Sequence, residues 1–215
     1  MGVHLYKYIG GSYLARVFER RNYLTLKCSR PKDFNDPYEL FLTIDFRVRP
    51  EVLAFYAEVV GKMPQYPVTC FSRSPANVPM WAHYAENLTG VVLEFDEKAL
   101  ASEFKGAAFG NITYRDRPPV GWRETLYRAY AIGKFRYLYF LRQGVFSAAY
   151  YSKATCWKYE QERRMILEDA DVREQAELLL VDIPRRCLTA IYCGPRASKA
   201  TLEAAAEKAD ICRIP

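Results

Sequence analysis

The sequence predicts an α+β fold with a mostly antiparallel sheet, whole or split, and flanking helices. Three observations carry this. Short segments of period-two hydrophobicity mix with helical ones, without the regular strand–helix rhythm of a doubly wound sheet. Half of the 215 residues are hydrophobic and 15% are aromatic, enough to bury a substantial core. No internal repeat, low-complexity tract or linker interrupts the chain, so one domain over residues 1–215 is expected, with an aromatic, basic helical subregion at about 120–150.

Taken in order, "VHLYKY" reads as a first strand, followed by "GSYLARVFERR", a helix with Ser12 as N-cap and Tyr13, Leu14, Val17 and Phe18 on one face. "YLTLKC" alternates and predicts a strand. "SRPKDFNDPYE" spells a turn, and a short extended piece, "LFLTI", follows it. Pro50 opens the helix "PEVLAFYAEVVGK" and Gly61 ends it. "YPVTCFS" is a strand, "PMWAHYA" a short helix and "GVVLEFD" a buried strand. "EKALASEF" then predicts a helix and "AFGNITYR" a strand, and residues 122–150 read as helical. "YEQERRMILE", "AELLLVDI" and "CLTAIYCG" supply three late strands, and "SKATLEAAAEKA" a closing helix capped by Ser198. The expected core includes Leu24, Leu26, Phe34, Phe71, Trp81, Val92, Leu93, Phe95, Ile166, Leu179 and Ile191.

The formal charge of +6, from 31 basic and 25 acidic side chains, permits attraction to phosphates and demands none. The N-terminus lacks the apolar run of a signal peptide, the myristoylation pattern fails at Tyr6, and no window of about 18 apolar residues exists, so a cytoplasmic protein is expected. Six cysteines without CxxC pairs and only two histidines, His4 and His83, argue for reduced thiols and against a metal site. Cys193, before Gly194, reads as a small buried hydrophobe in preference to a reactive thiol.

Four segments offer chemistry. In "FNDPYE", Asn35 or Asp36 closes the turn on its own backbone, and Phe34 and Tyr38 either pin it to the core or hold it at the rim of a cleft. In "CFSRSPANVPMWAHYAENLTGVVLEFD", Trp81 and Tyr84 share a helical face, and His83 is either a hydrogen-bonded structural residue or the one internal imidazole available for proton transfer. In "WKYEQERRMILE", a strand would project Glu160, Glu162 and Arg164 to one face, with the carboxylates roughly 6 to 7 Å apart. They form either a solvated edge ladder or a coupled pair neutralised by Arg164. From Gly110 to Arg142, seven basic side chains face two acidic ones, with Tyr114, Trp122, Tyr127, Tyr130, Phe135, Tyr137 and Tyr139 interleaved. Such a stretch is an aromatic helix pair with outward arginines, or a surface for nucleic acid.

Taken together, "LYKY", "FNDPYE", "CFS", "MWAHYA" with "GVVLEFD", "WKYEQER" and "IYCG", spanning residues 5–194, resemble the bacterial family catalogued as domain of unknown function 2971. The layout is also similar to the mono-ADP-ribosyltransferase-like fold. That resemblance implies an intracellular enzyme, plausible as a toxin or anti-phage effector, that cleaves NAD as cosubstrate without a metal. It implies Glu162, Glu160 and Ser72 as catalytic residues, with Glu162 stabilising the developing charge, Glu160 orienting the acceptor and Ser72 fixing the late strand. The nucleotide would be held by Lys7, Tyr8, His4, Asn35, Asp36, Trp81, His83, Tyr84 and Arg164, and the acceptor would be a protein or a nucleic acid. Lys7 stands where an arginine or histidine is usual. The alternatives are a module that binds or processes nucleic acid through the basic stretch, and a non-catalytic interaction domain.

Overall fold

The structure is a computed structural model that describes residues 3–34 and 47–212. Its strands are β1 (His4–Ile9), β2 (Tyr23–Cys28), β3 (Val68–Ser72), β4 (Val91–Asp96), β5 (Ala108–Asn111), β6 (Thr113–Tyr114), β7 (Ser152–Lys153), β8 (Glu162–Ile166), β9 (Val172–Gln175), β10 (Leu178–Pro184) and β11 (Leu188–Cys193). Its helices are α1 (Leu14–Val17), α2 (Pro50–Gly61), α3 (Val78–Tyr84), α4 (Glu97–Glu103), α5 (Trp122–Ile132), α6 (Phe135–Tyr151) and α7 (Lys199–Cys212). The chain divides into two compact units, one of Met1–Ser29, Tyr66–Asn111 and Tyr159–Pro215, the other of Arg30–Gln65 and Ile112–Lys158.

The first unit holds two sheets. Six strands run in the order β11-β4-β1-β3-β8-β5, and three in the order β2-β10-β9. Every pairing in them is antiparallel, as the mixed element pattern predicts, and the sheet is split. Period-two alternation sorts the side chains. Leu5 and Ile9 of β1, Phe71 of β3, Leu93 and Phe95 of β4 and Met165 of β8 turn to one face. There they meet Leu24 and Leu26 of β2 and Val181 and Ile183 of β10, closing the main core. Each such side chain contributes roughly 1.5–3 kcal/mol by leaving water. Of the expected core residues, Leu24, Leu26, Phe71, Trp81, Val92, Leu93, Phe95 and Ile166 are buried, while Phe34, Leu179 and Ile191 are half-buried. All six cysteines are free, and Cys193 packs against this core.

Local chemistry sets the element ends. Asn77 caps α3 by accepting from the Met80 amide at 3.3 Å, and Asp96 caps α4 by accepting from Lys98 at 3.0 Å. Ser198 accepts the Thr201 amide at 3.1 Å at the start of α7, the cap expected from sequence. Ser12 does not cap a long helix. It lies in a 3₁₀ turn, α1 is a single turn, and the Ser12 hydroxyl is bonded to the Glu86 carboxylate instead. Nor does the strand of the WKYEQER segment begin early: Thr155–Glu160 is a 3₁₀ helix, Gln161 takes a left-handed φ of 46°, and β8 starts at Glu162. The expected extended piece at 40–44 lies outside the described residues.

In the second unit, the helical reading of 122–150 resolves into α5 and α6, broken where Gly133 adopts a φ of 65°. The two helices approach closely, since a Cβ on Gly144 would collide with the Trp122 ring at 1.8 Å. Tyr150 donates to the Pro64 carbonyl at 2.9 Å, and α2, opened by Pro50 as expected, packs in the same unit. β6 and β7 form a two-residue parallel pair there. No helix among the described residues is long and apolar enough to cross a membrane.

The loop after α3 packs backbone against backbone. Glu86, Asn87 and Leu88 are successive left-handed residues, and the Leu88 carbonyl accepts from Arg196 at 3.1 Å while Gly90 accepts from Gly194 at 2.9 Å. A Cβ on Gly194 would lie 2.1 Å from the Leu88 carbonyl oxygen, which is backbone and has little room to yield. We expect Gly194→Ala to lower the unfolding free energy by about 1–3 kcal/mol in urea titrations. Gly61→Ala, where an added Cβ meets nothing within 4 Å, should be neutral or stabilising. Equal midpoints for Gly194→Ala and the unaltered chain would contradict this packing.

A polar row across the central strands

The face of the six-stranded sheet opposite the main core carries a row of polar side chains in register. Tyr6 of β1 pairs with Glu94 of β4 on one side and with Ser72 of β3 on the other. Ser72 pairs in turn with Glu162 of β8. Directly paired residues share a face, so four adjacent strands set Glu94, Tyr6, Ser72 and Glu162 side by side, at about 4.8 Å per strand.

At the β8 end, Arg164 lies two residues beyond Glu162 on the same face, and its Nε donates to Glu162 Oε1 at 2.6 Å. Arg164 is only 1% exposed and Glu162 4%. A guanidinium this deep stays charged, so the carboxylate beside it is both its counter-ion and its fixed partner. Cys70, paired across from Arg164, has its thiol pushed up by burial and then by the Glu162 charge, partly offset by Arg164, so it stays protonated.

Glu160 reaches the same region by another route. Ser72 Oγ donates to the Glu160 carbonyl at 2.8 Å, the Arg73 amide donates to the Gln161 carbonyl at 3.1 Å, and Asn77 Nδ2 donates to the Tyr159 carbonyl. Three successive carbonyls are thus held by residues 72–77. The Glu160 side chain is buried and accepts the Tyr84 hydroxyl at 2.7 Å, while Tyr84 itself is exposed.

Helix α3 lies on this face. Tyr8 and Trp81 meet edge to face at 5.4 Å and form a small second core with Met80, Ala85 and Val92. Their polar ends are spent on backbone: Tyr8 donates to the Ser74 carbonyl at 2.8 Å and Trp81 Nε1 to the Pro75 carbonyl at 2.7 Å. His83 is exposed, with its ring 6.3 Å from Tyr159 and 6.5 Å from Tyr84.

At the other end of the row, Glu94 accepts Thr189 Oγ1 and the Tyr192 hydroxyl, each at 2.6 Å, and lies 2.9 Å from His4 Nδ1. Burial raises this carboxyl, but the bonds from Thr189 and Tyr192 and the His4 charge together outweigh it and hold it below its ordinary value. The same contact pushes the Tyr192 hydroxyl up to about 12, first through its bond to Glu94 and then through burial. Tyr6 is raised by burial and then by the Glu94 charge.

Of the residues singled out from sequence, Ser72, Glu160, Glu162, Arg164 and Tyr84 come together. His4 joins the far end of the row, and Tyr8 of β1 packs with Trp81 of α3 in the small second core. Lys7 does not join it: alternation turns Lys7 to the core side, where its ammonium donates to the Cys70 carbonyl at 2.9 Å and sits 6.0 Å from the Phe71 ring centre. Asn35 and Asp36 lie outside the described residues. Sequence reasoning missed Tyr6, Glu94, Thr189, Tyr192 and Asn77. Tyr6 was recoverable, because in "HLYKY" it shares the phase of His4 and Tyr8. Among the described residues, no three His, Cys, Asp or Glu side chains gather as a metal site would need.

Residues 80–165 match the model of the family described as "Protein of unknown function (DUF2971)", which bears out the family resemblance read from the motifs. The match runs from α3 into β8 and contains both glutamates and Arg164. No curated protein and no solved structure matches the chain.

Two outcomes follow from the ionic contacts. Arg164→Leu, which removes the guanidinium from beside the buried Glu162 carboxylate, should cost about 3–5 kcal/mol, and adding Glu162→Leu should restore part of that loss. A double variant no more stable than the single one would contradict the pairing. For Glu94 the folded-state value is depressed, so its contribution to stability is present above the ordinary value of 4.5 and is lost as the pH falls through and below it. Glu94→Gln should therefore flatten the acid limb of the stability profile. An unchanged limb would mean that the carboxylate is not held in this way.

Proposed function

We propose that the polar row is the reaction face of an NAD-using enzyme that breaks the nicotinamide–ribose bond and passes ADP-ribose to an acceptor or to water. The observation that carries this reading is the lateral alignment of Tyr6, Ser72 and Glu162 on three adjacent central strands, with Glu160 tethered beside them through Ser72. Bond breaking at the ribose C1′ builds positive charge on the sugar. A carboxylate fixed against a ribose hydroxyl stabilises that charge most where water is excluded. Glu162, buried and oriented by Arg164, takes this role. Glu160 orients the acceptor, a protein or nucleic-acid group or a water molecule. The exposed Tyr84, bonded to Glu160, is the side chain that a ligand meets first.

Ser72 acts as a positioning residue, because its hydroxyl is committed to the Glu160 carbonyl. Tyr6, between the two carboxylate ends, offers a ring for nicotinamide, and His4 with Glu94 offers polar contacts to the rest of the nucleotide. NAD as cosubstrate fits a cytoplasmic protein, and an uncontrolled activity of this kind would suit a toxin or an anti-phage effector.

The test is nicotinamide release from NAD, followed chromatographically, by the full chain and by Glu162→Gln, Glu160→Gln and Tyr84→Phe. Loss of the charge-stabilising carboxylate should slow release about 100-fold or more. Because Glu162 also pairs with Arg164, thermal melting is compared in parallel, and Glu160→Gln, which keeps that pair, gives an independent arm. Absence of both NAD binding and nicotinamide release in the unaltered chain ends the proposal, as do equal rates in all four proteins.

A further inference from the structure

The α5–α6 pair of the second unit presents rings and cations outward with no part in the polar row. Phe135 is 78% exposed, Tyr139 49% and Phe140 50%. A surface that leaves three adjacent aromatic rings about half in water or more has something to meet. Phe135 and Tyr139 are stacked at 6.4 Å with 29° between their planes, and Tyr139 meets Phe140 edge-on at 5.8 Å. The three rings therefore form a continuous step along the first turns of α6.

Cations frame that step. The Arg136 guanidinium lies 5.9 Å from the Phe140 ring centre, and Arg128 lies 5.9 Å from that of Tyr137. Between the helices a cleft of about 200 Å³ is lined by Glu124, Thr125, Arg128, Arg136, Tyr137 and Phe140. That is smaller than a drug-sized pocket and of the order of one flat heterocycle. The single acidic group in it, Glu124, is bonded to Arg128. Arg123, Lys134, Arg136 and Arg142 make no ion pair among the described residues, so the surface keeps an excess of positive charge.

We infer that this surface binds single-stranded nucleic acid, with bases stacked on Phe135, Tyr139 and Phe140 and phosphates paired with Arg136 and its neighbours. Charge selects this occupant. A second copy of the chain would bring the same cations against themselves, whereas a polyanion that also carries flat apolar rings satisfies both features at once. Stacking needs no particular base, so the site reads strandedness more than sequence. The inference stands apart from NAD chemistry and would survive its loss.

The experiment is fluorescence anisotropy of the full chain with labelled RNA and DNA strands of about 10 nucleotides, across a salt series. Binding is expected to weaken with salt, and Arg136→Ala should make the logarithmic salt slope shallower by about 0.7. Phe135→Ala with Tyr139→Ala should weaken binding about tenfold or more while leaving the salt slope unchanged. All these side chains are exposed, and melting curves verify that the variants fold. Preference for RNA or for DNA would name the source. No binding at low salt overturns the inference, as does affinity indifferent to the ring substitutions. It also falls if those substitutions leave oligonucleotide binding intact but abolish self-association or attachment to phosphatidylserine vesicles, which would assign the surface to a second copy or to a membrane.

Discussion

The arrangement of the first unit depends on the pinning of three successive carbonyls. Gln161 is left-handed, and a side chain bearing a Cβ pays for that conformation, so the turn before β8 does not persist on local preference. It persists because Asn77, Ser72 and Arg73 satisfy the carbonyls of Tyr159, Glu160 and Gln161 in turn. Asn77 and Ser72 have further tasks. Asn77 also caps α3, and Ser72 also accepts the Ser74 amide at 3.3 Å. The end of β3, the start of α3 and the approach to β8 are therefore one hydrogen-bonded junction. Glu160 and Glu162 owe their positions to it.

The pair formed by Glu162 and Arg164 acts on a different scale. Burying a guanidinium is costly unless its counter-ion is held in good geometry, and an apolar pair of similar volume would serve stability as well or better. The pair therefore explains little of the fold's stability, which comes from the apolar face of the same sheet. What it supplies is a carboxylate whose orientation is already fixed. Tyr84 does the same for Glu160, through a neutral hydroxyl at the exposed edge. One glutamate is thus locked from within and the other latched from outside.

Much of this was legible in the sequence. Antiparallel pairing, most of the core and the Pro50 and Ser198 helix starts follow from period, caps and composition, which are local properties, whereas whether the sheet is whole or split does not. Ser72, Glu160, Glu162, Arg164 and Tyr84 were among the residues that the fold resemblance implies, although Lys7, implied with them, turns to the core side. The misses at Ser12, Glu160 and Glu94 share one cause, a partner distant in sequence. Ser12 looked like a helix cap, but Glu86, 74 positions on, takes its hydroxyl. Glu160 looked like a strand residue, yet the bonds from residues 72–77 fold it into a 3₁₀ turn. The hairpin strand β9 has a different, local cause: "VREQ" is too polar to read as a strand, and its pairing is set by the turn at Ala176 and Glu177, both left-handed. Glu94 drew no notice inside "GVVLEFD", where only the arrival of Thr189 and Tyr192 on β11 gives it a role.

The extent of the family match divides the polar row instructively. Residues 80–165 contain Tyr84, Glu94, Glu160, Glu162 and Arg164, so both paired glutamates and their orienting partners lie inside it. Tyr6 and Ser72 come from strands that precede it, and Thr189 and Tyr192 from a strand that follows. The matched segment thus carries the charged groups, whereas the flanking strands bring neutral donors and a ring into register with them. Hydrogen bonds from Ser72, Thr189 and Tyr192 join the two sets, and strand register brings those partners within reach. A one-residue slip of β1 would turn Lys7 toward the carboxylates and bury Tyr6 among the core side chains. The apolar phase of Leu5 and Ile9 forbids that slip, because it would carry both out of the main core. The chemistry of this face is in that sense decided on the opposite one.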